Sequence, residues 1–410
     1  MRVLTGASLI DGTGRGPIDD ATITVDGGRI TDVGEGRDRI PAGAEVVELD
    51  GHTVLPGLID AHSHLGLVDH EGLPRMPLAV QAAHIFDNCQ LALDAGFVTC
   101  RDVGGIDGGM AEAARRGLVR SPRLLPSGPI IIQTGGHGDP GPEWLDAEHR
   151  NYVGSPGLTQ LSVVADGPEE VRTAARRNLQ RGAAQIKVCI SGGIVSLTDD
   201  LSDTQLTVSE LVAAVEEATA RGTYVTAHAH NSEGIRNGLE AGLECFEHGT
   251  FLDDETIVAV ATRGAAIVPT LAVVRLLADH WREWGLPEEV VPRVRGIEEA
   301  MADSTRRAYD AGVAIGSGSD LLGPRQDRRG LELALKAEIL GPMAAIESAT
   351  RVNAEILRLG DEIGTVEPGK RADLTVLVGD PLAEPAMFDA VDRVSHVFKD
   401  GALAKGVVEV

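Results

Sequence analysis

The stretch LPGLIDAHSHL, residues 55–65, decides how the rest of the chain is read. Its first part is a short apolar run punctuated by Pro56 and Gly57, the pattern of a buried strand. The run ends in His62 and His64, on either side of Ser63. Side chains two apart on a strand point to the same face. Two imidazoles on one face at the C-terminal end of a strand make half of a metal site. A doubly wound open sheet would more often carry a glycine-rich phosphate loop after its first strand; here that position reads DAHSHL.

Seven more strand candidates follow. They are GFVTCRDV (96–103), GPIIIQ (128–133), AQIKVCI (184–190), TYVTAHA (223–229), LECFEHG (243–249), AAIVPTL (265–271) and VAIGSG (313–318). Helix-like segments lie between them, among them SELVAAVEEATARG (209–222), SEGIRNGLEAG (232–242) and DDETIVAVATRG (253–264). Strands alternating with helices over residues 57–365 predict an α/β fold, a (β/α)8 TIM barrel. An amphipathic, helical insertion at 272–312 follows the seventh strand, where a lid or a surface helix pair would sit.

The two ends of the chain share another style. RVLTGASLID, ATITV, RITDVGE and EVVEL read as short strands, as do ADLTVLVGD and RVSHVFKDGALAK. Asp26-Gly27-Gly28 and Asp400-Gly401 are hairpin signals. Each end alone has too few strands to be stable. Residues 1–56 and 366–410 are therefore expected to form one composite β-sandwich domain.

Composition narrows the function. The 410 residues carry a formal net charge of -25, with 43% hydrophobic and 24% charged residues. So acidic a chain is a poor electrostatic partner for nucleic acid or an anionic membrane. Four scattered cysteines, without a CxxC pair, exclude a disulfide scaffold. No run approaches the roughly 18 apolar residues of a membrane span, and the start shows no secretory pattern. A cytoplasmic enzyme is expected. Its partners would be a small-molecule or dipeptide substrate and further copies of the chain.

Chemistry-bearing residues gather at strand ends. Lys187 lies inside an apolar strand, where a lone ammonium is costly unless paired or neutral. It reads either as a buried ion pair or as a reactive amine able to take up carbon dioxide. His228 and His230 end the fifth strand, His248 the sixth, and Asp320 follows the eighth. Imidazole and carboxylate without thiolate suit zinc or another divalent first-row metal. Arg101-Asp102 reads as a structural pair. Arg275 and Arg325 are candidates for gripping a substrate carboxylate, since arginine offers a bidentate fork.

LPGLIDAHSHL, strand-borne Lys187, TAHAHN with His228, FEHG with His248, GSD with Asp320 and the closing GTVEPGKRADLTVL together resemble the amidohydrolase superfamily. QIKVCISGGI, HAHNSEGIRNGLEAG and GSDLLG look most like its peptidase-type branch of prolidase-like carboxypeptidases, N-acyl amino acid hydrolases, ochratoxin hydrolases and phenylurea hydrolases. The resemblance implies two divalent metals, zinc by expectation. His62, His64 and Asp320 would hold one and His228 and His248 the other, with a carboxylated Lys187 bridging. Asp320 would move the proton from the attacking hydroxide to the leaving amine. His137, in the GGHGD turn after the third strand, and His230 would contact the substrate or stabilise the oxyanion. The implied reaction is hydrolysis of an amide C–N bond in a dipeptide or N-acyl amino acid with a free carboxylate. Rivals are an arylurea or mycotoxin amide hydrolase and an imidazolonepropionase-like or deaminase enzyme; the latter usually needs no lysine ligand. A non-catalytic scaffold would have lost ligands that this chain keeps. Relatives often carry His-Gly or His-Arg after the eighth strand, whereas this chain has Gly323-Pro324-Arg325-Gln326.

Overall fold

Turn chemistry at both ends of the chain builds one sheet. Gly27 (φ 56°) and Gly28 (φ 82°) join strands β2 (Ile18–Asp26) and β3 (Arg29–Glu35), and Asp400 (φ 49°) and Gly401 (φ 74°) join β19 (Val394–Lys399) and β20 (Ala402–Lys405). Both are two-residue loops with positive φ at each position, the arrangement that matches strand twist. The computed structural model describes the chain except residues 69–75, 140–153, 156–157, 195–198, 284, 286–287, 289–290 and 408–410. With β1 (Arg2–Leu9), β4 (Glu45–Glu48), β5 (His52–Pro56) and β18 (Leu374–Val378), the terminal strands run in the order β20-β19-β18-β5-β1-β2-β3. Hydrogen bonding is continuous through this path. The reason lies in β1, which pairs with β4 over Arg2–Thr5 and with β5 at Ser8 and Leu9. Register shifts at Ala7 bend it from one partner to the other.

Between these ends the chain alternates strand and helix. Strands β6 (Leu58–Ser63), β7 (Phe97–Asp102) and β8 (Arg123–Pro126) form a parallel three-stranded sheet. Next come β9 (Ile130–Ile132), a short antiparallel pair β10 (Gly154–Ser155) and β11 (Thr159–Gln160), and β12 (Ser162–Val164). Then follow β13 (Ile186–Cys189), β14 (Val225–Asn231), β15 (Cys245–Phe251), β16 (Ala266–Val268) and β17 (Ala314–Ile315). The second sheet is parallel and ordered β12-β9-β13-β14-β15-β16-β17. The two sheets do not share a ladder, but backbone hydrogen bonds cross both gaps. Ala184 donates to Pro126 (2.7 Å), Ala61 donates to Ser317 (2.9 Å) and Asp320 donates to His62 (2.8 Å).

Four strands here were not anticipated: β8, the short pair β10 and β11, and β12. β8 is RLLP, enclosed by Pro122 and Pro126, and the prolines make it read as a turn. It, rather than the IIIQ strand, pairs with β7.

The strands are buried on both faces, as parallel sheets are. Every residue of β6, β7 and β13 is buried. Helices such as Val208–Ala220, opened by a Thr207–Glu210 capping box, pack apolar faces against them. The insertion is a helix pair, Leu271–Asp279 and Val291–Asp310. Its first helix is almost wholly buried and packs against the second. All four cysteines are buried and free. Among the described residues no helix is long and apolar enough to cross a membrane.

Candidate active site

Parallel register carries the sequence-distant candidates to one end of the strands. Cys189 faces His228 and Ala229 faces His248, so the C-terminal ends of β13, β14 and β15 lie together. His62 joins them from β6, and Asp320 arrives from the turn after β17, its amide bonded to the His62 carbonyl.

The imidazoles form one continuous cluster. Ring centroids lie 4.5 Å apart for His228 and His248, 4.7 Å for His230 and His248, 4.9 Å for His62 and His248, and 5.3 Å for His62 and His64. His137 stacks on His228 at 4.1 Å. Asp320 Oδ1 lies 3.4 Å from His62 Nε2 and 3.3 Å from His64 Nε2. Among the described residues two groups have donor atoms within 4.8 Å of one another: His228, His230 and His248, and His62, His248 and Asp320. His230 thus stands among the nitrogen donors on the same footing as its neighbours, and His248 belongs to both groups.

The outward nitrogens are tied down, which aims the inward ones. His62 Nδ1 meets Glu247 Oε2 at 2.7 Å, His64 Nδ1 meets the Gly104 carbonyl at 2.6 Å, His230 Nδ1 meets Thr250 Oγ1 at 2.7 Å and His248 Nδ1 meets Thr270 Oγ1 at 2.8 Å. His228 is turned the other way, with Nε2 3.2 Å from the Gly192 carbonyl. Such partners set the tautomer and the ring orientation of a ligand histidine. His248 Nε2 is buried and has no partner. An unpartnered buried nitrogen surrounded by imidazole and carboxylate fits a divalent cation, because a lone pair is what the ion requires.

Strain and charge mark the same place. His248 (φ 70°) and Asp320 (φ 52°) are in the left-handed region without being glycine, at a cost of about 1–3 kcal/mol each. The turn before Asp320 is pinned by buried Asp60, which accepts from the His62 amide (3.1 Å), the Ser319 amide (3.0 Å) and Ser319 Oγ (2.6 Å), and pairs with buried Arg329. Burial pushes His230 down to about 3 and His228 and His248 well below their usual range; neighbouring histidines add to the effect. Burial likewise pushes His137 down to about 4. Burial opposes charge on Asp320, but His62 and His64 outweigh it and hold the carboxyl well below its usual range. Glu247 is held low against its burial by Arg101 and His62.

Lys187 is 1% exposed, and burial pushes its ammonium down. Among the described residues no carboxylate lies within ion-pair distance of it, so the buried-ion-pair reading is not realised.

The arginine candidates fare differently. Arg275 Nε pairs with Glu298 at 2.5 Å, and Arg325 Nη2 pairs with Glu283 at 2.7 Å and contacts His280. Arg101 and Asp102 do not pair with each other as expected. Arg101 turns into the sheet interior and meets Glu247 at 2.6 Å, while Asp102 accepts from the amides of Leu65, Gly104 and Ile106. The sequence reading passed over Glu247, Asp60 and Arg329. The signal for Glu247 and Asp60 was the same as for Lys187: a charged residue inside an apolar strand.

This cluster, at the C-terminal ends of parallel strands beside a sheet built from both termini, defines a hydrolase of the metal-site kind. The amidohydrolase family matches residues 53–404, and the chain belongs to that family. It acts on carbon–nitrogen bonds. It is 32% identical to ochratoxinase of Aspergillus niger over 99% of this chain and 87% of that protein. A prolidase complexed with N-methylphosphonate-L-proline superposes with a TM-score of 0.92 at 35% identity, covering 99% of this chain and 100% of that one. A Xaa-Pro dipeptidase with bound methionine gives a TM-score of 0.87 at 30% identity, with 99% and 100% covered.

Proposed function

We propose that the chain is a binuclear metal-dependent amide hydrolase of dipeptides or N-acyl amino acids that carry a free carboxylate. His62, His64, Lys187, His228, His248 and Asp320 would hold two divalent ions, zinc for choice, with Lys187 carboxylated. The carrying observation is the buried His cluster with its unpartnered His248 Nε2. The hydrogen bonds that cross both gaps between the parallel sheets support a closed (β/α)8 barrel over 57–365, beside a domain of 1–56 and 366–410.

Bound metal would supply a polarised carbonyl and a water acidic enough to attack near neutral pH. The protein groups do the rest. Asp320, kept ionised by His62 and His64, accepts the proton of the attacking water and returns it to the leaving amine. His137 and His230 are neutral at working pH, so each can donate one N–H to the developing oxyanion or the substrate carboxylate without adding charge. Arg275 and Arg325 pair with Glu298 and Glu283, so a substrate carboxylate would have to displace those partners to reach either.

The prolidase and Xaa-Pro dipeptidase likenesses support the free carboxylate. The ochratoxinase likeness favours a second reading, a mycotoxin amide. The test compares N-acyl amino acids with their own amides and methyl esters on zinc-loaded protein. The acids should be cleaved far faster. Equal rates, or good activity on neutral ureas, would overturn the carboxylate reading.

A further inference from the structure

Glu247 sits one residue before His248 but points to the other side of the cluster, and it is completely enclosed. Its two oxygens have divided duties. Oε1 accepts from Arg101 Nη2 (2.6 Å) and from Thr226 Oγ1, and it faces Cys245 Sγ (3.7 Å). Oε2 meets His62 Nδ1 at 2.7 Å. Arg101, equally enclosed, is held by the Ala61 carbonyl and by the Tyr224 hydroxyl (3.2 Å). Ala61 adjoins His62 on β6, so the guanidinium is anchored to the strand that carries the histidine. Glu247 meets His62 at Nδ1, whereas Asp320 lies at Nε2.

We propose that Glu247, held by Arg101, is a positioning residue that keeps a proton on His62 Nδ1, so that Nε2, the nitrogen facing Asp320 and the cluster, is the one left to a metal. A carboxylate only accepts, and arginine only donates. With Oε1 taken by Arg101, the single arrangement that satisfies Oε2 and His62 together is Nδ1–H donating. The opposite tautomer would leave Nδ1 and Oε2 as two facing acceptors and would put a proton where a metal needs a lone pair. The inference rests on the metal-centre reading for its consequence, but not for the tautomer.

Glu247→Gln separates the two. Arg101 still demands an oxygen, so the Gln carbonyl stays with it and the amide nitrogen turns to His62. Nδ1 must then accept, and the proton moves to Nε2. Long-range proton–nitrogen spectra of metal-free protein labelled with 15N-histidine read the tautomer directly, with His62 assigned from a His62→Gln sample. The parent should show a proton on His62 Nδ1, and Glu247→Gln should show Nδ1 without one. Zn²⁺ affinity, read by competition with a chromophoric chelator, should fall roughly 10–100-fold in Glu247→Gln. A parent His62 without a proton on Nδ1 overturns the proposal even if the variant fails to fold. So does an unchanged tautomer, or unchanged zinc affinity, in a folded variant. A parent that takes up no zinc, yet shows the tautomer switch, overturns the metal-centre reading and leaves the positioning of His62 standing.

Discussion

Gly193→Ala offers a sharp probe of His137. A Cβ at residue 193 would lie 2.1 Å from both Cε1 and Nδ1 of the His137 ring. Ordinary contact begins near 3.4 Å, so the ring must retreat by about 1.3 Å. It cannot retreat towards His228, which it already stacks at 4.1 Å. Displacement of a catalytic group by 1 Å can cost about 10²-fold, equivalent to about 2.7 kcal/mol of transition-state stabilisation. Steady-state kinetics on an N-acyl amino acid should show that loss in kcat/KM, with zinc content unchanged. The control is Gly296→Ala, where nothing lies within 4 Å of the new methyl and a helical glycine gains from the change. In a His137→Ala background, Gly193→Ala should cost nothing further, because coupled groups are not additive. Full activity in Gly193→Ala, or an equal loss with and without His137, would refute the claim that this ring's position matters to turnover.

Other outcomes follow from the same geometry. Asp320→Asn keeps the side-chain shape and removes the basic oxygen, so turnover should fall by about 10²–10⁴ with metal retained; near-normal turnover would move the proton transfer to another group. Lys187→Ala should abolish activity, and short carboxylic acids should restore part of it by supplying an anion; density ending at a plain amine in a zinc-loaded crystal would contradict carboxylation. His137 near 4 and His230 near 3 lie below the usual 6.5. Between about pH 4 and 6.5 the unfolded chain therefore binds more protons at these groups, and metal-free stability should rise with pH across that window. His64, held high by Asp320 and Asp102 despite its burial, opposes this in part; urea midpoints that fall on going from pH 4.5 to 6.5 would show the histidines are charged when folded. His248→Asn keeps a partner for Thr270 and suits positive φ but deletes Nε2, so zinc uptake should fall while the metal-free protein still folds; unchanged zinc uptake would remove His248 from the ligand set.

The ligand-bearing strands were legible because periodicity and residue type coincide there. An apolar run ending in histidine or aspartate announces both the strand and the end that matters; four such runs, with Lys187 inside a fifth strand, sufficed. The supports were illegible for one reason: they are defined by partners far away in sequence. Glu247 finds His62 and Arg101 more than a hundred residues upstream, and Asp60 finds Ser319 and Arg329 more than two hundred downstream. Arg101-Asp102 shows the same limit in reverse. Adjacent opposite charges on a strand point to opposite faces, so the two cannot pair, and each found a buried partner elsewhere. β8 failed through its prolines, which punctuate the segment but sit at strand ends where no ladder bond is lost.

His248 concentrates what the fold spends on this site. Its backbone is left-handed, its Nδ1 is committed to Thr270, and its Nε2 is sealed from solvent with nothing to bond. An unpaired buried polar atom costs about 1–3 kcal/mol, and the strain adds a similar amount. Any hydroxyl nearby would relieve the first cost, yet the surroundings are three further imidazoles and Asp320. A neutral His62 or His228 whose N–H is given to Glu247 or to the Gly192 carbonyl has none left for Nε2, and burial opposes a second proton at His228. The partner that suits every one of these groups at once is a cation without protons. A bound cation would remove the first of these costs, and that is the support His248 gives to the proposed metal centre.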